Sequence, residues 1–368
     1  MTPIYYIGLM SGTSLDGIDA VLVNFGEPKP VLLATLFYPY DEELRASLLA
    51  LHHAGFDELN RAALLSNALS ILYAQTSLNL LKKSKIDPKA VTAIGCHGQT
   101  IRHCPEKEKH YTIQLVNAAL LAELTQITVV ADFRSRDIAA EGQGAPLVPA
   151  FHKTFFGDTH KHRIIVNIGG IANITRLDPN DEVIGFDCGP GNMLMDVWSL
   201  RHTGKNYDDK GQWAKTGKIV QSLFDILMDE SFFSFPPPKS TGRELFNLHW
   251  LEYKMSQCAP QAPENVQATL SQLTVISIAN AITDYCPTAS EIYVCGGGAH
   301  NTHLIKQLSN ALPHCTVALT NKLGVDADWV EAFAFAWLAQ LTILRKPGNL
   351  SAVTGAKGER ILGAIYLA

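Results

Sequence analysis

The chain has 368 residues, 47% of them hydrophobic and 18% charged, and its 30 basic and 35 acidic residues leave a formal charge of −5. That is the make-up of a soluble globular protein with sizeable cores and room for two domains. The near balance of charge gives no basic surface for nucleic acid or an anionic membrane, so an anionic substrate has to be met by local groups.

Residues 4–23 read as a strand, a turn and a second strand. The turn, Ser11-Gly12-Thr13-Ser14-Leu15-Asp16-Gly17, holds two glycines that reach backbone angles closed to other residues. Its hydroxyls and bare N–H groups can surround anionic oxygens, and Asp16 and Asp19 offer carboxylates to a metal or its waters. An ordinary glycine hairpin accounts for this segment equally well. A third strand is predicted over 31–38 and two helices between 41 and 83, where Leu44, Leu48 and Leu51, then Leu64, Leu65, Leu69 and Leu72, recur at helical spacing. A short buried strand over 91–96 ends at His97-Gly98-Gln99-Thr100, a helix follows over 115–125, and a strand over 127–133 ends at Asp132-Phe133-Arg134.

The pattern restarts with strands over 163–170, 173–177 and 183–187 and a helix over 192–201. Long amphipathic helices are expected over 217–230 and 265–285. A strand over 291–295 runs into Gly296-Gly297-Gly298, and helices over 301–312 and 328–344 close the chain. Strand, glycine turn and strand thus occur twice, near 4–23 and 163–177, with little identity between the copies. Alternating strands and helices predict an α/β fold with mostly parallel sheets. The two halves should meet between Ala139 and His162, with a ligand cleft between them. The segment 235–243, rich in proline, is the clearest long loop.

The seven cysteines, Cys96, Cys104, Cys188, Cys258, Cys286, Cys295 and Cys315, are scattered and never form a C-x-x-C pair. Buried thiols are expected, not a disulfide framework or a zinc site. The N-terminus enters a strand with no signal-peptide pattern, and the longest apolar stretch, 332–344, is too short to span a bilayer. The expected location is the cytoplasm.

Four glycine-rich turns, 11–17, 169–173, 189–191 and 296–298, each follow a predicted strand, where open α/β sheets bind ligands. Four of them point to a nucleotide with several phosphates. The P-loop and dinucleotide fingerprints are absent, as are the protein-kinase motifs. Asp187, at the end of a predicted strand, can take a proton from an attacking oxygen or cap the helix after Asn192; Asp196 caps or bonds locally. His97 is more readily structural than substrate-binding. Gln99 and Thr100 suit a sugar. Arg134 and Arg136 suit a carboxylate or phosphate, or a surface ion pair. Glu331 opens an apolar helix, where a carboxylate also complements the dipole. The 13 histidines lack H-E-x-x-H spacing, so catalytic zinc is not expected.

These turns, in this order, resemble the acetate- and sugar-kinase/Hsp70/actin superfamily, and the whole chain resembles the anhydro-N-acetylmuramic acid kinase family. The matching segments begin with the run from Gly8 to Asp19, Gly95-Cys96-His97-Gly98-Gln99-Thr100 and Ala131-Asp132-Phe133-Arg134. They continue with the runs from Gly142 to Pro149 and Asn167 to Asn173, then Gly185-Phe186-Asp187 with Gly189-Pro190-Gly191-Asn192. The runs from Pro237 to Glu244 and Gly296 to Asn301 complete the set. Cys188 stands where the family commonly has Thr, and Leu245 precedes Phe246 in the loop.

The resemblance implies an α/β protein of two actin-like (ribonuclease H-like) domains, 1–145 and 146–368, with a nucleotide cleft between them. The second would carry the catalytic aspartate, and the C-terminal segment could pack back on the first. It implies an ATP-dependent sugar kinase that opens 1,6-anhydro-N-acetylmuramic acid with water and phosphorylates O6, giving N-acetylmuramic acid 6-phosphate for peptidoglycan recycling. Asp187 would be the base, and Glu331 would hold substrate or water. ATP would be bound by Gly12, Thr13, Ser14, Leu15, Asp16, Gly17, Ile18 and Asp19, with Gly169, Gly170, Gly296, Gly297, Gly298 and Asn301. Gln99, Thr100 and Arg134 would face the sugar. Mg²⁺ would accompany ATP, its ligands left open, and the enzyme would be a cytoplasmic homodimer. Two alternatives remain at this point: a kinase of a free sugar, which takes up no water, and a nucleotide-gated chaperone or filament module, which ignores the sugar.

Overall fold

The computed structural model describes residues 2–105, 110–179 and 183–368. The chain forms two compact units, Met1–Phe151 with Trp329–Ala368, and His152–Asp328. In the first, β1 (Tyr5–Ser11), β2 (Gly17–Asn24) and β3 (Val31–Pro39) form an antiparallel meander. On its other side β1 pairs in parallel with β4 (Val91–Cys104), which pairs antiparallel with β5 (Tyr111–Leu115) and parallel with β6 (Val129–Ala131). The final strand of the chain, Ala364–Tyr366, pairs antiparallel with β6.

The second unit repeats this plan with β7 (Arg163–Ile168), β8 (Ile171–Leu177), β9 (Ile184–Pro190), β10 (Glu291–Cys295) and β11 (Thr316–Leu319). Its order β11-β10-β7-β8-β9 matches β6-β4-β1-β2-β3, antiparallel over each meander and parallel beyond it. The α/β class and the internal repeat are therefore both present. The sheets are mixed, however, not mostly parallel: strands joined by short glycine turns must pair antiparallel, and only the long crossovers give parallel neighbours.

The helix Val330–Ile343 assigns the C-terminal segment to the first unit. It is apolar on nearly all sides and buried throughout most of its length, the pattern of a core helix. It lies against a notch made by Gly8 of β1 and Gly95 of β4, which are register partners. A Cβ on Gly8 would stand 1.9 Å from the Ala332 carbonyl oxygen, and one on Gly95 would stand 2.1 Å from that of Phe335. The expected division into 1–145 and 146–368 therefore shifts: the chain leaves the first unit after Phe151 and returns at Trp329.

Local differences follow from packing. The strand expected to stop at 96 continues through Cys104, because β5 pairs with its second half. The helix expected over 217–230 is confined to Gln221–Met228. Gly217 is extended, with no room for a Cβ beside the Glu264 carbonyl, and Val220 is extended as well.

Candidate active site

In the first unit the turn after β1 is a tight loop. The Leu15 N–H donates to the Gly12 carbonyl at 3.3 Å, Ser14 Oγ donates to Asp16 Oδ1 at 2.8 Å, and Leu15 takes φ +58°. Leu15 and Ile18 are 2% and 0% exposed. Their side chains belong to the core, and only their backbone can meet a phosphate. Thr13 and Asp16 are exposed, and Gly12, Ser14 and Asp19 are half-buried.

Gln99 is the register partner of Ser11 and wholly buried. Its Nε2 donates to the Gly12 carbonyl at 3.0 Å, so it braces the turn from below. Ser11 Oγ is bonded to the Tyr73 hydroxyl and lies 3.4 Å from the Gly98 carbonyl. Burial pushes Tyr73 well above the usual tyrosine pKa and Tyr40 up to about 12, so both remain protonated.

His97 and Arg134 form a second group on this unit. His97 Nε2 accepts from Arg134 Nε at 3.1 Å and Nη2 at 2.9 Å, and Arg134 Nη1 donates to the Gly144 carbonyl at 2.7 Å. Burial, then the Arg134 charge, holds His97 well below the usual histidine pKa. The ring is neutral, with Nε2 the acceptor and the proton on Nδ1. Gly144 is fixed in turn by Asp137, fully buried, whose Oδ2 accepts the Gly144 N–H at 2.8 Å. Asp137 Oδ1 accepts from Asn349 Nδ2 at 2.6 Å and Thr354 Oγ1 at 2.7 Å. Thr100 Oγ1 accepts from Gln114 Nε2 at 3.2 Å. Arg136 is exposed, and Glu331 is half-buried in the first turn of its helix.

In the second unit the registers Asn167↔Asn173 and Asn173↔Asp187 set three polar side chains in a row across β7, β8 and β9. Directly opposed residues share a face of the sheet. Asp187 is therefore inside β9, not at its end, and Gly189-Pro190 are strand residues, not a turn. The Asp187 N–H donates to the Lys239 carbonyl at 3.1 Å, and Oδ2 accepts the Thr241 N–H at 2.9 Å. The helix Met193–Thr203 takes Asn192 as its N-cap residue, so Asp187 does not cap it. Burial and the neighbouring Asp187 charge push the Cys188 thiol well above its usual pKa, and it stays protonated.

The glycine turns of this unit are close-packed. The Gly169 carbonyl accepts the Asn192 N–H at 2.8 Å, and the Gly170 carbonyl accepts those of Gly191 and Met193 at 2.9 and 3.2 Å. Gly296 takes φ +77°, and its Cβ would stand 2.3 Å from Asn167 Oδ1; a Cβ on Gly298 would stand 2.4 Å from the Ile168 side chain. Gly297 is exposed. The Asn301 side chain is the N-cap of the helix Thr302–Ala311, accepting the Leu304 N–H at 3.0 Å. Asn173, Thr241 and Asp137 carry no role that the sequence alone assigns. The asparagines flanking Gly169-Gly170 are a signal for the first of these; the other two depend on contacts distant in sequence.

The family model for anhydro-N-acetylmuramic acid kinase matches residues 4–368. The curated relative named anhydro-N-acetylmuramic acid kinase from Nitrosomonas europaea is 59% identical over 362 residues, 98% of this chain and 99% of its own length. The relative of the same name from Nitrosospira multiformis is 60% identical over 366 residues, 100% of each chain. That from Thiobacillus denitrificans is 54% identical over 363 residues, 98% of this chain and 96% of its own.

Proposed function

The chain belongs to the anhydro-N-acetylmuramic acid kinase family, and on that premise we propose that it uses ATP to convert 1,6-anhydro-N-acetylmuramic acid to N-acetylmuramic acid 6-phosphate in peptidoglycan recycling. An anhydro sugar has no free 6-hydroxyl, so a simple phosphoryl transfer has no acceptor. Water must add at C1 as the C1–O6 bond breaks. One water proton goes to Asp187, and the other remains on the new O1 hydroxyl. O6 takes the γ-phosphoryl group, and ADP leaves.

The observation that carries this reading is the Asp187 carboxylate, oriented by the Thr241 N–H and placed in a polar row with Asn173. A base gains from being fixed in this way, because the proton is taken at one geometry. The backbone of 12–19 is proposed to meet the ATP phosphates, with Gly169, Gly170 and 296–298 as further nucleotide turns. Arg134 and Thr100 face the sugar, Gln99 serves the phosphate turn, and Glu331 holds substrate or water. Mg²⁺ bound with ATP would supply neutralisation of phosphate charge. Asp16, exposed beside Ser14, fits a contact through one of its waters.

Mass spectrometry of the product formed in ¹⁸O-labelled water tests the proposal. One labelled oxygen at C1 with phosphate on O6 is expected; phosphorylation without water uptake would refute it. We further propose a cytoplasmic homodimer. The dimer is supported by the apolar stripe Leu64, Ile71 and Leu78, 62%, 43% and 37% exposed, on one face of the helix Glu58–Ser84. A monomeric mass by light scattering would exclude it.

A further inference from the structure

The loop from Phe235 to Phe246 bonds to Asp187 at two points. It accepts the Asp187 N–H at the Lys239 carbonyl and returns the Thr241 N–H to Oδ2. The loop is itself anchored. The Lys239 ammonium donates to the carbonyls of Phe232 at 3.1 Å and Phe233 at 3.3 Å and lies 4.7 Å from the centre of the Phe232 ring. Phe246, fully buried, donates its N–H to the Gly242 carbonyl at 3.1 Å.

Within this framework the Thr241 hydroxyl is buried and has no hydrogen-bond partner among the described residues. A buried hydroxyl is normally paired, and one left unpaired is costly. It is carried by the residue whose N–H holds the Asp187 carboxylate, so it lies within one side chain's length of that hydrogen bond. A hydroxyl kept unpaired there is available to a group that arrives with the reaction.

We propose that the Thr241 hydroxyl is the second hydrogen-bonding group for the attacking water. The water donates one hydrogen to Asp187 and the other to Thr241 Oγ, which leaves a lone pair directed at C1. In the step itself one water O–H bond breaks toward Asp187, the O–C1 bond forms and C1–O6 breaks; Thr241 neither gains nor loses a proton. The loop thereby acts on both partners of the proton transfer, its backbone on the base and its side chain on the nucleophile.

The inference rests on Asp187 as the base, and the test separates the two. In the full-length enzyme with ATP and the anhydro sugar, Thr241→Val removes the hydroxyl and keeps the volume. It is expected to lower kcat about tenfold or more while both KM values stay within about threefold, the mark of an interaction made at the transition state. Thr241→Ala, which adds no bulk, carries the same expectation, so a packing defect in one variant leaves the other to decide. Thr241→Ser should restore kcat to within about threefold of wild type. The acid limb of kcat/KM should not move in Thr241→Val, because the backbone donor to Asp187 remains. Wild-type kcat in the Val and Ala variants, a loss confined to KM, a Ser variant as slow as Val, or a shifted acid limb would each overturn the proposal. An active Asp187→Asn would remove the underlying reading; an inactive Asp187→Asn beside a fully active Thr241→Val would overturn this one alone.

Discussion

Gly8→Ala is the sharpest test of how the first unit is built. The added Cβ would stand 1.9 Å from the Ala332 carbonyl oxygen and 2.8 Å from the Ala336 nitrogen, both backbone atoms of a buried helix. A carbon and a carbonyl oxygen approach no closer than about 3.3 Å, so strand or helix must yield by about 1.4 Å (3.3 − 1.9). No side-chain rotation relieves this contact. The same helix buries Phe333, Phe335 and Leu338, and displacing it opens gaps along all of them. Overpacking costs about 1–3 kcal/mol where side chains can adjust; with backbone on both sides about 3 kcal/mol or more is expected. At roughly 2–4 °C per kcal/mol for a unit of this size, that is a drop in melting temperature of about 6–12 °C. Thermal unfolding followed by circular dichroism measures it, with Gly55→Ala as control, since a Cβ there meets only the flexible end of Arg61 at 3.3 Å. A Gly8→Ala protein that melts with wild type would refute the account of the notch.

Asp187→Asn should keep the melting temperature and lose about 10²–10⁴-fold in kcat, measured by coupled ADP release; near-normal turnover would end its role as base. His97→Leu removes the acceptor of two Arg134 N–H groups and should raise the KM for the sugar about tenfold with that for ATP unchanged. Equal effects on both substrates would show that Arg134 does not serve the sugar. His152, wholly buried against Phe156, is lowered by burial from 6.5 to about 3. Below pH 6.5 the unfolded chain binds a proton that the folded one refuses, so stability is complete above that pH and falls toward pH 3. The limiting slope is about 1.4 kcal/mol per pH unit. Urea unfolding at pH 7 and pH 5 should show a smaller pH dependence in His152→Gln, and an unchanged dependence would exclude the histidine as its source.

The opening hairpin, the turn at Gly169-Gly170 and the repeat are legible in the sequence, because these are local and set by glycine and by apolar runs, whereas Gly189-Pro190 reads as a turn and is strand. The pattern does not separate the side chains of 12–19 by direction. Strand parity at β2 sends Ile18 inward, and a left-handed residue at 15 does the same for Leu15. Gln99 reads as a sugar ligand in isolation, yet parallel pairing brings it beneath a turn 87 residues earlier. Thr241 lies 54 residues from Asp187, and no periodicity announces the contact. The C-terminal helix shows its burial in its composition but not its partner; that information sits in two glycines on two other strands.

The Asp137 clamp also orders events in time. Its carboxylate joins Gly144 to Asn349 and Thr354, and Gly144 supplies an acceptor to Arg134. The loop beside Arg134 is thus completed by residues that follow Asp137 by 212 and 217 positions. On the ribosome the chain must emit all of His152–Asp328 before the first unit has its last helix. The contiguous second unit can therefore finish folding first, although it is made second, while the N-terminal meander waits with an open notch. A nascent chain stopped after residue 328 would expose that notch, and the Asp137 clamp would stay incomplete until Asn349 and Thr354 followed.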